Sequence, residues 1–131
     1  MKGPKRRILC VDDDIDTLEM MTSLLGYEDY EVVQAQTVAE GLALAIANNF
    51  DLILLDFVFA DGTGVELCRM IRGTGVPAPI LFYSGITLKE DIDQAMSAGA
   101  QGFLIKPVDL EDLLLHVSRF VGNAGSTALI N

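Results

Sequence analysis

Basic residues are scarce in this chain. Nine Lys and Arg against 19 Asp and Glu leave the 131 residues with a formal net charge of −10. Nonspecific nucleic-acid binding needs an excess of cations facing the phosphates, so the balance argues against that class. Acidity of this kind keeps a chain soluble. The two cysteines, Cys10 and Cys68, have no metal-ligand spacing and read as small buried hydrophobes in a reducing compartment. The single histidine, His116, sits among polar neighbours late in the chain and reads as a surface residue. Long apolar runs are missing too. Stretches such as Leu52–Leu55 and Leu113–Leu115 fall far short of the ~18–20 residues of a membrane span. The opening Met-Lys-Gly-Pro-Lys-Arg-Arg is basic but lacks the apolar core of a secretory signal, so the expected setting is the cytoplasm, with no membrane insertion.

What is present is a regular alternation. The apolar strand Arg7–Val11 precedes a helix whose face is Ile15, Leu18, Met21 and Leu25 and which stops at Gly26. Tyr30–Ala35 is strand-like, and Thr37-Val38-Ala39-Glu40 has the spacing of a capping box opening an alanine-rich helix. Strand Leu52–Asp56 leads through a loop containing Asp61-Gly62-Thr63-Gly64 to a short helix at Val65–Arg72. Strand Ile80–Tyr83 follows, then Thr87-Leu88-Lys89-Glu90 as a second capping box for the helix of Ile92, Ala95 and Met96. Strand Gly102–Ile105 precedes a last helix, capped by Asp109, that carries Leu110, Leu113, Leu114, Val117 and Val121. Five β-α units without interruption predict one α/β domain, a parallel sheet covered by helices on both faces. The domain is expected over residues 1–122, with residues 123–131 as a flexible C-terminal tail.

The strand ends carry the chemistry. Val11 runs into Asp12-Asp13-Asp14, Leu55 into Asp56, and Ile105 into Lys106-Pro107. In a parallel α/β sheet the C-terminal strand ends meet in one crevice, where such folds place ligands. Clustered carboxylates repel one another unless a cation neutralises them. Converging acids and one lysine therefore suit a divalent metal and a phosphoryl group.

From Ile8 to about Val121 the chain resembles the receiver domain of bacterial two-component response regulators. The resemblance rests on Val11-Asp12-Asp13, Asp56, Ser84 and Lys106-Pro107, in that order at the ends of the first, third, fourth and fifth strands. It implies a doubly wound, flavodoxin/CheY-like fold: five strands in the order 2-1-3-4-5 with five flanking helices. It also implies a phosphoprotein, not an enzyme in its own right, which promotes only its own phosphotransfer and dephosphorylation.

Under the resemblance Asp56 is the phosphoacceptor, and Asp12, Asp13, Asp56 and the backbone carbonyl of Val58 hold Mg²⁺. Mg²⁺ prefers octahedral oxygen ligation and retains waters, so few carboxylates suffice. Asp14 is either a third acidic ligand or a cap for the first helix. Lys106 would pair with Asp56 and later with the phosphoryl group, with a cis bond to Pro107. Ser84 would be the switch hydroxyl, and Phe103 either the aromatic that turns inward with it or an ordinary core residue. Two positions depart from the family's pattern. Ala60 stands where proline is usual, which frees the loop at Phe57–Asp61. Val58 is apolar where polar side chains are frequent, which would shield an acyl phosphate from water. A phosphotransfer role for His116 is disfavoured.

The expected partners are a sensor histidine kinase or a histidine phosphotransfer protein, and a downstream protein that the sequence does not identify. No direct nucleic-acid contact is implied, and a homodimer on phosphorylation stays open. The starting methionine favours a standalone regulator or relay intermediate over an excised receiver. Two other classes compete. A haloacid-dehalogenase-type phosphatase wants a second carboxylate two residues after its nucleophile, where this chain has Val58. A flavin carrier wants a hydroxyl- and glycine-rich phosphate loop after the first strand, where this chain has three aspartates.

Overall fold

Near-continuous apolar strands are what a parallel sheet buried on both faces demands, and such a sheet is what forms. A computed structural model describes residues 4–122. In chain order the elements are β1 (Arg7–Val11), α1 (Ile15–Tyr27), β2 (Glu31–Ala35), α2 (Val38–Ala47) and β3 (Leu52–Leu55). A small antiparallel hairpin follows, β4 (Val58–Phe59) and β5 (Gly62–Thr63), and then α3 (Gly64–Gly73). The rest is β6 (Ile80–Ser84), α4 (Lys89–Ser97), β7 (Gly102–Ile105) and α5 (Leu110–Gly122). The main sheet has five parallel strands in the order β2-β1-β3-β6-β7, the expected order once the hairpin is set aside. The tail expected at residues 123–131 lies outside the described residues.

Alternation along the strands divides the interior into two cores. Leu9, Val11, Ile53, Leu55, Ile80 and Phe82 face one side, packed with Leu67 and Ile71 of α3 and Ala95 of α4. Ile8, Cys10, Leu52, Leu54, Leu81 and Tyr83 face the other. There they meet Leu18, Met21 and Leu25 of α1 and Leu113, Val117 and Val121 of α5. Both cysteines are buried free thiols, as expected. Burial, with a smaller push from the charge of Asp12, raises the Cys10 thiol to about 12. His116 is half-buried rather than superficial, and its Nδ1–H donates to the Asp112 carbonyl one turn back at 2.8 Å.

The helix starts differ in detail from the spacing rules. Thr37 caps α2 by accepting the Glu40 N–H at 3.0 Å, but the Glu40 carboxylate reaches past it to the Gln36 N–H at 2.7 Å. The capping box expected at Thr87–Glu90 does not form. The N-cap of α4 is Leu88, one residue later, so Glu90 falls a position short of the third helical residue that the box requires. A complete box forms instead at α3, where Thr63 accepts the Glu66 N–H at 3.1 Å and Glu66 accepts the Thr63 N–H at 3.0 Å. Asp14 occupies the N-cap position of α1 without a side-chain cap bond.

The hairpin after β3 is tied to the body by Asp61. Its carboxylate accepts the N–H groups of Val38 and Ala39 at 2.9 and 3.1 Å, supplying two orphan donors of α2 from 22 or more residues away. These bonds hold the Asp61 carboxyl below the usual carboxylate range. A depressed folded pKa contributes stability that is present above the unfolded value near 3.8 and is lost as pH falls through the folded one. Asp61→Ala therefore lowers the Tm at pH 7, and the gap to wild type narrows as pH drops below 3.8. Thermal unfolding followed by circular dichroism from pH 7 to pH 2.5 checks this; a gap independent of pH would contradict it.

Candidate functional site

The register of the sheet brings the named strand ends together. Asp12 and Asp56 each follow the last residue of their strand, and the Asp56 N–H donates to the Val11 carbonyl at 2.9 Å, so β1 and β3 end side by side. Asp12 is buried, Asp56 half-buried and Asp13 exposed, and their carboxylate oxygens lie within 4.8 Å of one another. Lys106, just past β7, reaches in with its Nζ 2.9 Å from Asp12 Oδ2 and 3.5 Å from Asp56 Oδ2. Its peptide bond to Pro107 is cis. The lysine thus meets both carboxylates and sits nearer Asp12 than the expected Asp56.

Three carboxylates around one ammonium leave an uncompensated charge of about −2. Burial pushes the Asp12 carboxyl above its usual value, and the Asp56 charge adds to this; the Lys106 bond and the Asp14 N–H, 2.9 Å from Oδ1, only partly oppose it. Burial alone would lower Lys106, but the hydrogen bond to Asp12 and the charges of both aspartates outweigh it and raise the ammonium's pKa. The lysine gains from the arrangement while Asp12 is held there at a cost. A hard dication relieves that cost. Octahedral Mg²⁺ at ~2.1 Å from its ligands spans oxygens up to about 4.2 Å apart, so the triad could hold such an ion with small side-chain adjustments.

Asp14 stands apart from the triad. Its exposed carboxylate accepts the Thr17 hydroxyl at 2.7 Å, which chiefly accounts for its lowered pKa. Val58 lies in β4 with its side chain 56% exposed, so no carboxylate occupies the position a dehalogenase-type general acid would need. Ser84 is buried at the end of β6, on the opposite side of that strand from Tyr83. Its hydroxyl oxygen accepts the Ile86 N–H at 3.3 Å, and its carbonyl accepts the Lys106 N–H at 2.8 Å. The hydroxyl keeps its own proton to donate. Phe103 is half-buried and stacks on Phe82, with ring centroids 5.6 Å apart and planes 8° from parallel; Phe82 in turn meets Phe57 at 6.1 Å.

One residue that the sequence places in a loop belongs to the site. A Cβ on Gly64 would overlap the Asp56 carbonyl oxygen and approach Phe82 Cε2 to 2.8 Å, and the Gly64 N–H donates to the Phe57 carbonyl at 2.7 Å. The start of α3 is thereby pressed against the backbone that carries Asp56. Its only signal in the sequence is a glycine at the entry to a helix. Gly64→Ala is expected to cost about 1–3 kcal/mol of stability by overpacking. Under the phosphoacceptor role that the resemblance implies for Asp56, it should also slow modification of that carboxylate by about tenfold or more through misplacement. Urea unfolding and reaction with a small phosphodonor measure the two effects.

The comparisons with known proteins agree with this geometry. The family model of the response regulator receiver domain matches residues 8–118. The nisin biosynthesis regulatory protein NisR of Lactococcus lactis subsp. lactis is 35% identical over 111 residues, covering 85% of this chain and 48% of that protein. The transcriptional regulatory protein ResD of Bacillus subtilis (strain 168) is 29% identical over 125 residues, 95% of this chain and 52% of its own length. The chain thus spans about half the length of the curated relatives it matches. Among solved structures, a CheY-like receiver domain protein from Methanospirillum hungatei JF-1 superposes with a TM-score of 0.89 at 31% identity, covering 93% of this chain and 98% of that one. A BeF3-activated DrrB receiver domain gives 0.82 at 28% identity, covering 91% and 99%. With the family model spanning most of its length and the acid triad and lysine converging at the strand ends, this chain belongs to the response regulator receiver domain family.

Proposed function

We propose that Asp56 takes a phosphoryl group from the phosphohistidine of a sensor kinase or histidine phosphotransfer protein and that the resulting change of shape regulates a downstream partner. The observation that carries this reading is the meeting of Asp12, Asp13 and Asp56 with the Lys106 ammonium at one end of the sheet. An Asp56 oxygen attacks phosphorus in line, the phosphorus–nitrogen bond breaks, and its electron pair returns to the histidine ring. A carboxylate is a weak nucleophile, so position and charge neutralisation do most of the catalysis. Mg²⁺ on Asp12, Asp13, Asp56 and the Val58 carbonyl supplies that neutralisation when bound. Lys106 holds a phosphoryl oxygen, and Ser84 turns its proton to another.

The same groups assist a later attack of water on the acyl phosphate, which breaks its phosphorus–oxygen bond to Asp56 and releases inorganic phosphate, so catalysis here is confined to the protein's own modification. Residues 1–122 form the receiver module in this reading, and the cytoplasm is its setting because its phosphate comes from an ATP-fed kinase. Among the described residues no helix is long and apolar enough to cross a membrane. The partner that reads the modified state is a protein surface or a further domain rather than nucleic acid contacted directly, in keeping with the net charge of −10.

Incubation with a histidine kinase and labelled ATP should give an acid- and base-labile acyl phosphate on Asp56 alone. Asp56→Asn abolishes it; label at wild-type level in that variant, or on His116, overturns the reading. Ser84→Ala accepts phosphate but transmits it poorly, whereas Lys106→Ala weakens both steps. Amide chemical shifts around Phe103, with and without beryllofluoride and Mg²⁺, separate the two outcomes.

The metal assignment has its own test. Mg²⁺ raises the Tm of the wild type by mass action. The Asp12→Asn, Asp13→Asn double variant should start a few degrees higher without metal, the equivalent of about 1 kcal/mol, and gain nothing from Mg²⁺. Equal Mg²⁺ stabilisation of both proteins would remove these aspartates from the metal site.

A further inference from the structure

Tyr83 has no part in the reading above, yet it forms a wall of the site. It is buried in the core shared with α1 and α5 and pairs across the sheet with Leu104. Lys106 lies two residues beyond Leu104, so its side chain leaves β7 on the Tyr83 side. The Lys106 Nζ sits over the tyrosine ring, 5.3 Å from its centroid, within the ~6 Å reach of a cation–π attraction. The ring also borders a cavity of about 10 Å³ beneath Asp12 and Asp56, with Cys10, Thr17 and Met21 among its other walls. The ammonium therefore has three attractive neighbours: Asp12, Asp56 and an aromatic face.

The two carboxylates pull the lysine in different directions. Phosphotransfer to Asp56 needs the ammonium on a phosphoryl oxygen, while the closer contact, at 2.9 Å, holds it to Asp12. The attraction of the ring is of a different kind. It depends on no ionised partner, so it persists when the charges on Asp12 and Asp56 are neutralised or rearranged, and burial strengthens it.

We propose that the ring of Tyr83 is a positioning element for Lys106, holding the ammonium between Asp12 and Asp56 while its anionic partner changes. The inference rests on the role given to Lys106 above. It assigns the function to the aromatic face and not to the phenol hydroxyl, which distinguishes Tyr83 from a residue that merely fills the core.

The test uses Tyr83→Phe and Tyr83→Leu, each in the wild-type and Lys106→Ala backgrounds. The first readout is the rate of reaction with a small acyl-phosphate donor in Mg²⁺. The second is the ring-current shift of the Lys106 ε-methylene protons in metal-free protein. Wild type and Tyr83→Phe should share an upfield ε-methylene shift and react at rates within about twofold of each other. Tyr83→Leu should lose that shift and react about five- to tenfold more slowly, as loss of a partly desolvated cation–π contact implies. In the Lys106→Ala background the leucine variant should match its parent within about twofold, since the two residues act through one contact. Equal slowing in both backgrounds would overturn the proposal in favour of core packing. An unshifted ε-methylene in the wild type would overturn it without recourse to any variant. If Lys106→Ala alone reacts at the wild-type rate, the fault lies in the site reading, and the positioning role falls with it.

Discussion

Parallel register delivers three carboxylates and one ammonium to the same edge of the sheet, and the cost of that convergence governs the rest of the site. Like charges within a few ångströms repel one another unless a cation compensates them. Lys106 supplies one positive charge and, by geometry, divides it between Asp12 and Asp56. The remaining deficit is what makes the triad suit a dication. Stability and function oppose each other here. The fold holds Asp12 where burial raises its pKa, and the interactions that would relieve it come from ligands.

The alternation of β-strand side chains places the acidic cluster and the stacked rings on opposite sides of the strand ends. On one side of the strand ends lie Asp12, Asp56, Lys106 and the ring of Tyr83, with α1 and α5 beneath. On the other lie Phe82 and the hydroxyl of Ser84, with Phe57 and Phe103 packed on Phe82. Lys106 and Ser84 are joined across the boundary by a backbone bond of 2.8 Å. A phosphoryl group adds nearly two negative charges and three strong acceptors on the acidic side. Ser84 follows Phe82 by two residues on β6, so its hydroxyl and the stacked rings lie on the same side of that strand.

Much of this was legible in the sequence, and the reasons are physical. Strands of a doubly covered sheet are unbroken apolar runs, so β1, β3, β6 and β7 announced themselves, and Asp12, Asp56 and Lys106 each follow a strand end while Ser84 closes one. The apolar faces of α1 and α5 were equally plain from their period. What escaped notice depends on contacts distant in sequence or on elements too short to have a period. The hairpin β4–β5 has two residues per strand. Asp61 is an ordinary turn residue until the α2 N–H groups are known to face it. Gly64 is unremarkable until the Asp56 carbonyl lies where its Cβ would be. The Thr87–Glu90 box failed by a single residue, because the pattern S/T-x-x-E fixes spacing but not where the chain turns helical. Nothing in the order of residues says that Tyr83 and Lys106 share a face and a contact.

These overlooked contacts converge on the segment that follows Asp56. Ala60 in place of a proline suggested a loosely specified loop, since proline fixes φ and alanine does not. The constraint is supplied by hydrogen bonds instead. The Gly64 N–H bonds to the Phe57 carbonyl, Asp61 is bound to the start of α2, and the Thr63–Glu66 box fixes the start of α3. The Phe57 N–H itself donates to Asp56 Oδ1 at 2.7 Å, so the backbone thus fixed also orients the carboxylate. Proline would limit one dihedral angle; this network ties the hairpin to two helices and to the side chain it serves. The aim of the Asp56 carboxylate is therefore a property of α2 and α3 as well as of β3, and a change at Asp61 or Gly64 reaches that carboxylate without touching it.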